Sequence, residues 1–319
     1  MESKTKTRLS PVQLEAVVRR AFGADASLAS AKELTDGWFN AAYMLELEDG
    51  RQAVLKIGPG DQAEVLGYEK GILRSELEAL KLARAAGGIP VPEVYAEDVS
   101  RTLIEADWFV MEKIAGLPYN QVKASLSEEE RFGIERELGR YNRAINEIKG
   151  ERFGYLNAGA GASADSWQEA FGAMIRGILT DGRRLRAELP VSYEELDAFI
   201  ERRLPALASV TEPRLVHWDL WDGNLFVLDG RVSAIIDWER ALWGDPLMEF
   251  YFRHFTRSPG FLEGYGSRYE SPEERARIEL YDLYLDLILV IECYSRHSGE
   301  DHRKWAESNL AEGWARLNR

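Results

Sequence analysis

His217-Trp218-Asp219-Leu220-Trp221-Asp222-Gly223-Asn224, with Ile235-Ile236-Asp237-Trp238 a little further on, is the stretch on which the reading of this chain turns. Between the two segments lie an apolar run at 225–228, the turn pair Asp229-Gly230 and a second run at 232–236, the pattern of two short strands joined by a tight turn. Antiparallel strands bring their outer ends side by side, so the loop entering this hairpin and the residue leaving it are neighbours. Asp219 and Asn224 are five apart, and Asn224 and Asp237 thirteen apart, yet the hairpin gathers all three at one end of a small sheet. Two carboxylates and a carboxamide are hard oxygen donors, which suit Mg2+, a cation that keeps several waters and takes few protein ligands. Each residue alone could be an ordinary turn former. The three together, at this spacing and between apolar strands, argue for chemistry.

The order His-x-Asp-x-x-x-x-Asn, then Asp, is that of the catalytic loop and metal site of the kinase fold. In such a site Asp219 accepts or orients the proton of an acceptor hydroxyl, while Asn224 and Asp237 hold Mg2+ on nucleotide phosphates. A strand lysine paired with a helix carboxylate is also required. Ala53-Val54-Leu55-Lys56-Ile57 is an apolar strand with one cation in it. Period-two alternation puts Val54 and Lys56 on one face, so Val54 can roof an adenine while Lys56 reaches the phosphates. Glu76 is the best candidate partner, with Glu69 and Glu78 behind it, all in a helical pattern at 64–86.

Ser10-Pro11 starts an amphipathic helix that Gly23 closes. Alternation through Tyr43, Leu45 and Leu47, then Asp49-Gly50 and the run at 53–57, reads as a hairpin with a two-residue turn. Short β-like runs follow at 94–97 and 108–114. After Gly116-Leu117-Pro118 the pattern becomes helical, at 127–148, 166–188, 192–207 and 272–296, interrupted by the hairpin above. The fold class is α+β, a two-lobed protein-kinase-like fold. Residues 1–114 form an N-terminal nucleotide-binding lobe, a small antiparallel sheet with a helix. Residues 115–319 form a larger, mainly helical catalytic and acceptor-binding lobe.

Composition removes other classes. Among 319 residues, 54 Asp+Glu against 40 Lys+Arg give a net charge of −14, which disfavours a nucleic-acid partner. The single cysteine, Cys293, excludes a disulfide framework and a Cys-rich zinc site. The N-terminal MESKTKTRLS lacks the apolar stretch of a signal peptide, and the longest apolar run, 287–291, is too short to span a bilayer. A cytoplasmic protein without membrane partners is expected. No Gly-x-x-x-x-Gly-Lys-[Ser/Thr] occurs, so a Walker-type site is not supported. His217 reads as a brace for its loop, and His254, His297 and His302 show no metal-ligand spacing. Asp245, between Gly244 and Pro246, reads as a helix N-cap.

The chain resembles the aminoglycoside phosphotransferase and choline-kinase-like family of small-molecule kinases. HWDLWDGN is similar to that family's HGDLHPGN loop, and IIDWERALWGDP to its IIDWE-x-A-x-x-GDP segment. SELEALKLARAAGGIPVPEV and WFVMEKIAG are similar to its E-A-L-L-Pro-x-Pro segment and its hinge. The motifs run in the family's order from about Gly37 to Pro246. The resemblance implies ATP and Mg2+ as cofactors, Asp219 as catalytic base, and Asn224 with Asp237 as metal ligands. It implies Lys56 on the nucleotide phosphates with Glu76 as partner, and backbone contacts from Glu112 and Ile114 to the adenine edge. Departures are Trp218 where the family has glycine and Trp221 where it often has histidine; the Gly37-Trp38-Phe39-Asn40 turn, with one glycine where protein kinases have three, matches the looser Gly-x-x-Asn turn of the small-molecule kinases.

The expected activity is transfer of the γ-phosphate of ATP to a hydroxyl of a small molecule. The acidic balance inclines the acceptor toward an aminoglycoside or similar antibiotic, and so toward antibiotic resistance. The alternatives are a metabolic kinase of a sugar, choline or amino alcohol and, from another class, a non-catalytic nucleotide-binding regulatory module. Tyr251, Glu270, Tyr284 and Glu292 are candidate walls of the acceptor pocket, and Trp218 and Trp221 could narrow it.

Overall fold

Helix α1 (Pro11–Phe22) starts where Ser10-Pro11 places it. The Ser10 hydroxyl accepts the Gln13 amide while the Gln13 side chain accepts the Ser10 amide, a reciprocal cap. The computed structural model describes residues 6–34, 39–60, 63–157, 161–250, 258–266, 271–296 and 298–317. Leu14, Val17 and Val18 of α1 pack with one face of a five-stranded antiparallel sheet. Its strands are β1 (Leu28–Leu34), β2 (Ala41–Leu47), β3 (Gln52–Ile57), β4 (Val94–Asp98) and β5 (Trp108–Glu112), in the order β1-β2-β3-β5-β4. β3 is central, between β2 and β5, which fixes the lysine it carries.

The β2–β3 turn differs from the two-residue expectation. The Gly50 amide bonds Leu47 O, the Leu47 amide bonds Arg51 O, and Gly50 has φ +85°. A three-residue loop with a left-handed glycine closes the hairpin, and Asp49 lies in the turn before it. The expected helix at 64–86 also begins later. Helix α2 spans Ile72–Ala86; before it come an extended stretch and a 3-10 turn at Gly67–Glu69, and Gly71 at φ +68° separates the two. A left-handed residue ends helical continuation, and Leu66 and Tyr68 ahead of it join the apolar core of the helical lobe instead.

β6 (Leu117–Pro118) leads into the second lobe, where it pairs with β10 (Leu225–Leu228); β10 in turn pairs with β11 (Arg231–Ile235). Asp229 and Gly230, at φ +48° and +73°, form the two-residue turn anticipated there. A second small sheet holds β7 (Phe153–Tyr155), β8 (Ser163–Ala164), β9 (Arg214–Val216) and β12 (Leu242–Gly244). Helices α3 (Tyr119–Val122), α4 (Glu128–Glu147), α5 (Trp167–Leu185), α6 (Tyr193–Arg203), α7 (Pro259–Tyr265), α8 (Pro272–Ser295) and α9 (Glu300–Leu317) make up most of the rest. Among the described residues no helix is long and apolar enough to cross a membrane. One apolar cluster crosses between the lobes, joining Val54, Leu77, Phe109 and Met111 to Leu220, Leu225, Ile235 and Trp238. The β10–β11 hairpin is thus packed into the same core as β3 and α2.

α4 and α7 approach at backbone distance. A Cβ on Gly264 would lie 1.9 Å from Arg136 O, and one on Gly139 2.2 Å from Phe261 O. Neither obstacle is a side chain that can turn aside. Gly264→Ala is therefore expected to cost about 2–3 kcal/mol as the helices are forced apart, read as a lower urea midpoint. Gly133→Ala, on α4 with nothing within 4 Å, should be neutral or mildly stabilising.

Candidate active site

Lys56 projects from β3 into a cluster of carboxylates. Its Nζ lies 2.8 Å from both Oε atoms of Glu76 on α2 and 2.9 Å from Asp237 Oδ1, just past the end of β11. Of the other expected partners, Glu69 bonds Arg296 at 2.6 Å and Glu78 is exposed. Burial works against the Lys56 charge, but Asp237, Glu76 and Glu239 overcome it and raise the ammonium well above its usual range. Asp237 answers in kind: burial would raise its carboxyl, and the adjacent Lys56 holds it below the usual carboxylate range. Val54, two residues before Lys56, is buried between the lobes. Glu112 ends β5, where its amide donates to Glu93 O at 2.8 Å, and Ile114 follows in the link to β6.

Asp219 and Asn224 meet on the other side. Asn224 Nδ2 donates to Asp219 O at 2.9 Å and to Asp219 Oδ2 at 3.1 Å, so Oδ1 is the atom left to ligate. Burial pushes the Asp219 carboxyl up to about 7, with Arg240 opposing the shift and Asp237 and Glu292 adding to it. Glu239, which the sequence reading passed over, stands beside this group. Glu76, Asp237 and Glu239 each offer an oxygen within 4.8 Å of one another. Asn40 Nδ2 donates to Glu239 Oε2 at 2.7 Å, and Asn40 Oδ1 is buried without a hydrogen-bond partner among the described residues. An all-oxygen donor set with an orphaned carbonyl oxygen suits Mg2+ and lacks the thiolates and imidazoles that softer metals prefer.

The loop between β9 and β10 is held by its backbone. Glu249, buried after Gly244-Asp245-Pro246, accepts the His217 amide at 2.7 Å and the Trp218 amide at 3.0 Å. His217 Nδ1 accepts the Asp219 amide at 3.2 Å, which leaves Nε2 protonated to donate to Ile236 O at 3.1 Å. Burial lowers the imidazole to about 4, so His217 braces the two halves of the site as a neutral ring. Asp245 does cap the following turn, accepting the Leu247 amide at 3.1 Å, and it also receives Arg277 and Tyr281.

Trp218 has φ +58°, the conformation glycine adopts without strain, which explains the family's usual residue there. Its indole is buried and stacks on Tyr284 at 5.1 Å and 4°, so packing holds what the backbone resists. Trp221 is 44% exposed, with its ring folded across Gly223, and is not a core residue. Of the other candidates, Gly37, Trp38, Tyr251, His254, Glu270 and His297 lie outside the described residues. A wide depression of about 440 Å³, bordered by Arg143, Glu147, Glu212, Arg214 and Arg277, contains none of the expected site residues.

A lysine clamped between a helix carboxylate and a hairpin carboxylate, facing an Asp–Asn pair, is the arrangement of charged groups that a phosphotransfer centre of the kinase kind requires. The chain belongs to the phosphotransferase enzyme family (APH), whose model matches residues 30–281, and is a small-molecule kinase with a protein-kinase-like fold. The structure is similar to the streptomycin–ATP ternary complex of APH(2″)-IIa (17% identity, TM-score 0.62, covering 96% of this chain and 97% of that one). It is also similar to a thermostable mutant of APH(4)-Ia in ternary complex with AMP-PNP and hygromycin B (19%, 0.62, 94% and 97%). A third likeness is to a candidate fructosamine-3-kinase from Thermobifida fusca YX-ER1 (20%, 0.65, 94% and 99%). No curated protein matches the chain in sequence.

The raised Asp219 carboxyl has a consequence for stability. A carboxyl at 3.8 in the unfolded chain and about 7 in the folded one favours folding while protonated, and that advantage is lost as pH rises through 7. By neutral pH the buried charge costs on the order of 4 kcal/mol. Asp219→Asn is expected to raise the melting temperature of the ligand-free protein at pH 8 and to change it little at pH 4. A variant no more stable than wild type at pH 8 would contradict the assigned burial.

Proposed function

We propose that the protein transfers the γ-phosphoryl group of ATP, with Mg2+, to a hydroxyl group of a small molecule. The observation that carries this reading is the convergence of Lys56, Glu76 and Asp237 in direct contact, opposite the Asp219–Asn224 pair. In this reading residues 1–114 hold the nucleotide and 115–319 supply the base and the acceptor wall. Lys56, positioned by Glu76, turns toward the phosphates, and Val54 roofs the adenine. The Glu112 carbonyl and the Ile114 amide read the adenine edge. Asn224 Oδ1 and Asp237 hold the metal, with Glu239 close by. The bound cation would neutralise charge on the transferring phosphoryl group.

Asp219 then aligns the acceptor. One of its oxygens is engaged by Asn224, and the other takes the hydroxyl proton as the new P–O bond forms and the bond to the leaving ADP oxygen breaks. A carboxyl pushed up to about 7 can take that proton and release it near neutral pH. Transfer of this kind draws most of its rate from positioning and electrostatics, which accounts for the density of fixed polar groups around one lysine.

Asp219→Asn should lower turnover about a thousandfold while nucleotide affinity holds. Asp237→Ala should weaken Mg2+-dependent nucleotide binding at least about tenfold by calorimetry. Near-wild-type turnover in the first variant would remove Asp219 as the base, and unchanged binding in the second would remove Asp237 as a ligand.

A further inference from the structure

Asn40 stands where the sheet lobe meets the exit of the β10–β11 hairpin, and its backbone is fixed on both sides. Ala41, which follows it, begins β2 and pairs with Ile57 of β3. Phe39, which precedes it, is sunk in the apolar core of the helical lobe, with the Arg296 guanidinium 5.2 Å from its ring centroid. Asn40 itself is 6% exposed. Its Nδ2 donates to Glu239 Oε2 at 2.7 Å, a bond between the lobes that joins residues 199 apart in the chain. Its Oδ1 is buried and has no donor among the described residues. Buried carboxamide oxygens nearly always have one, so the partner of this atom has to come from outside the chain.

We propose that Asn40 is a positioning residue for the metal-bound nucleotide: its Oδ1 accepts a hydrogen bond from the water shell of Mg2+, while its Nδ2 keeps hold of Glu239. The inference rests on the phosphotransfer reading above and adds to it a contact from the sheet lobe. Glu239 offers an oxygen within 4.8 Å of oxygens of Glu76 and Asp237, so the carboxamide is one hydrogen bond from the cluster that would face the cation. A carbonyl oxygen can only accept. Phosphate oxygens are acceptors as well and cannot satisfy it. Lys56, the nearby cation of the chain, is already shared between Glu76 and Asp237. Mg2+ in such sites keeps several waters, each polarised into a strong donor, and these are the partners that an orphaned oxygen accepts best.

Such a contact makes the sheet lobe sensitive to the cation. Asn224 and Asp237, the metal ligands of the proposed reaction, both belong to the helical lobe, and Asn40 alone among these three comes from the other. A role confined to the Asn40–Glu239 bond would be different, since it needs Nδ2 only and is indifferent to metal. The two ends of the carboxamide can be separated by substitution. Leucine has the shape of asparagine without either polar atom. Aspartate keeps an oxygen acceptor, loses the donor and meets Glu239 as a like charge.

The test is calorimetric binding of the ATP analogue AMP-PNP to the full-length protein, once with Mg2+ and once with EDTA, and the quantity compared is the ratio of the two affinities. Asn40→Leu is expected to lower that ratio about tenfold, through weaker binding in Mg2+, with affinity in EDTA changed by less than about twofold. Asn40→Asp should keep the ratio at or above the wild-type value, while the melting temperature of the ligand-free protein falls because two carboxylates now face each other. Asn40→Ala takes up less space and answers the same question if Asn40→Leu does not fold. An unchanged ratio in Asn40→Leu or Asn40→Ala would overturn the proposal. So would a ratio as low in Asn40→Asp as in Asn40→Leu, which would leave the bond to Glu239 as the whole of the residue's role. Wild-type protein that binds the analogue no better with Mg2+ than with EDTA would instead overturn the phosphotransfer reading beneath it.

Discussion

A single ammonium makes this site possible. Glu76, Asp237 and Glu239 bring three carboxylates within 4.8 Å of one another in a half-buried pocket, an arrangement that like-charge repulsion would scatter without Lys56 among them. The pairing also joins three elements distant in the chain, strand β3, helix α2 and the exit of the β10–β11 hairpin. Removing either partner of a buried ion pair leaves an uncompensated charge, so each element depends on the other two for its position. The apolar cluster through Val54, Leu77, Leu225 and Trp238 closes the same triangle from the inside.

The loop between β9 and β10 shows the opposite economy, a backbone held against its preference. Trp218 and Asp237 both sit at positive φ, +58° and +64°, which costs on the order of 1–2 kcal/mol for each non-glycine residue. The loop stays in place because Glu249 takes two of its amides and the neutral His217 ring ties Asp219 to Ile236. These groups would touch neither nucleotide nor acceptor in the proposed reaction. Their effect is to fix where the Asp219 carboxyl stands, and that placement is what phosphotransfer requires of a protein.

Much of this was legible in the sequence because it is local. The β10–β11 hairpin is announced by Asp229-Gly230, the start of α1 by Ser10-Pro11, and the Lys56 strand by its apolar run. The site could be assembled from spacing because a hairpin converts separation in the chain into proximity. What stayed hidden lacks such a signature. β1 is a largely exposed strand without alternation, and α9 buries only Ala306, Leu310 and Gly313. Glu249 binds the loop through a fold that no short pattern encodes. Helical spacing at 64–71 was misleading: Leu66 and Tyr68 are apolar partners for the other lobe, not one face of α2. Glu239 and Arg240 lay within the quoted IIDWERALWGDP segment, and only the coordinates show that they face opposite sides of Asp237, one toward Asn40 and the other toward Glu292.

The seating of residues 63–71 bears on control. An outward swing of the helix bearing Glu76 would part it from Lys56, and a kinase-type site needs that pair in place. Here that helix is tethered at its leading end by the buried Glu69–Arg296 ion pair, by the Tyr68–Glu292 hydrogen bond and by the side chains of Leu66 and Tyr68 sunk in the opposite lobe. Displacing it would mean uprooting those anchors as well as the Lys56–Glu76 pair. The helix that carries the lysine's partner is thus fixed by folding itself, with its leading end rooted in the other lobe.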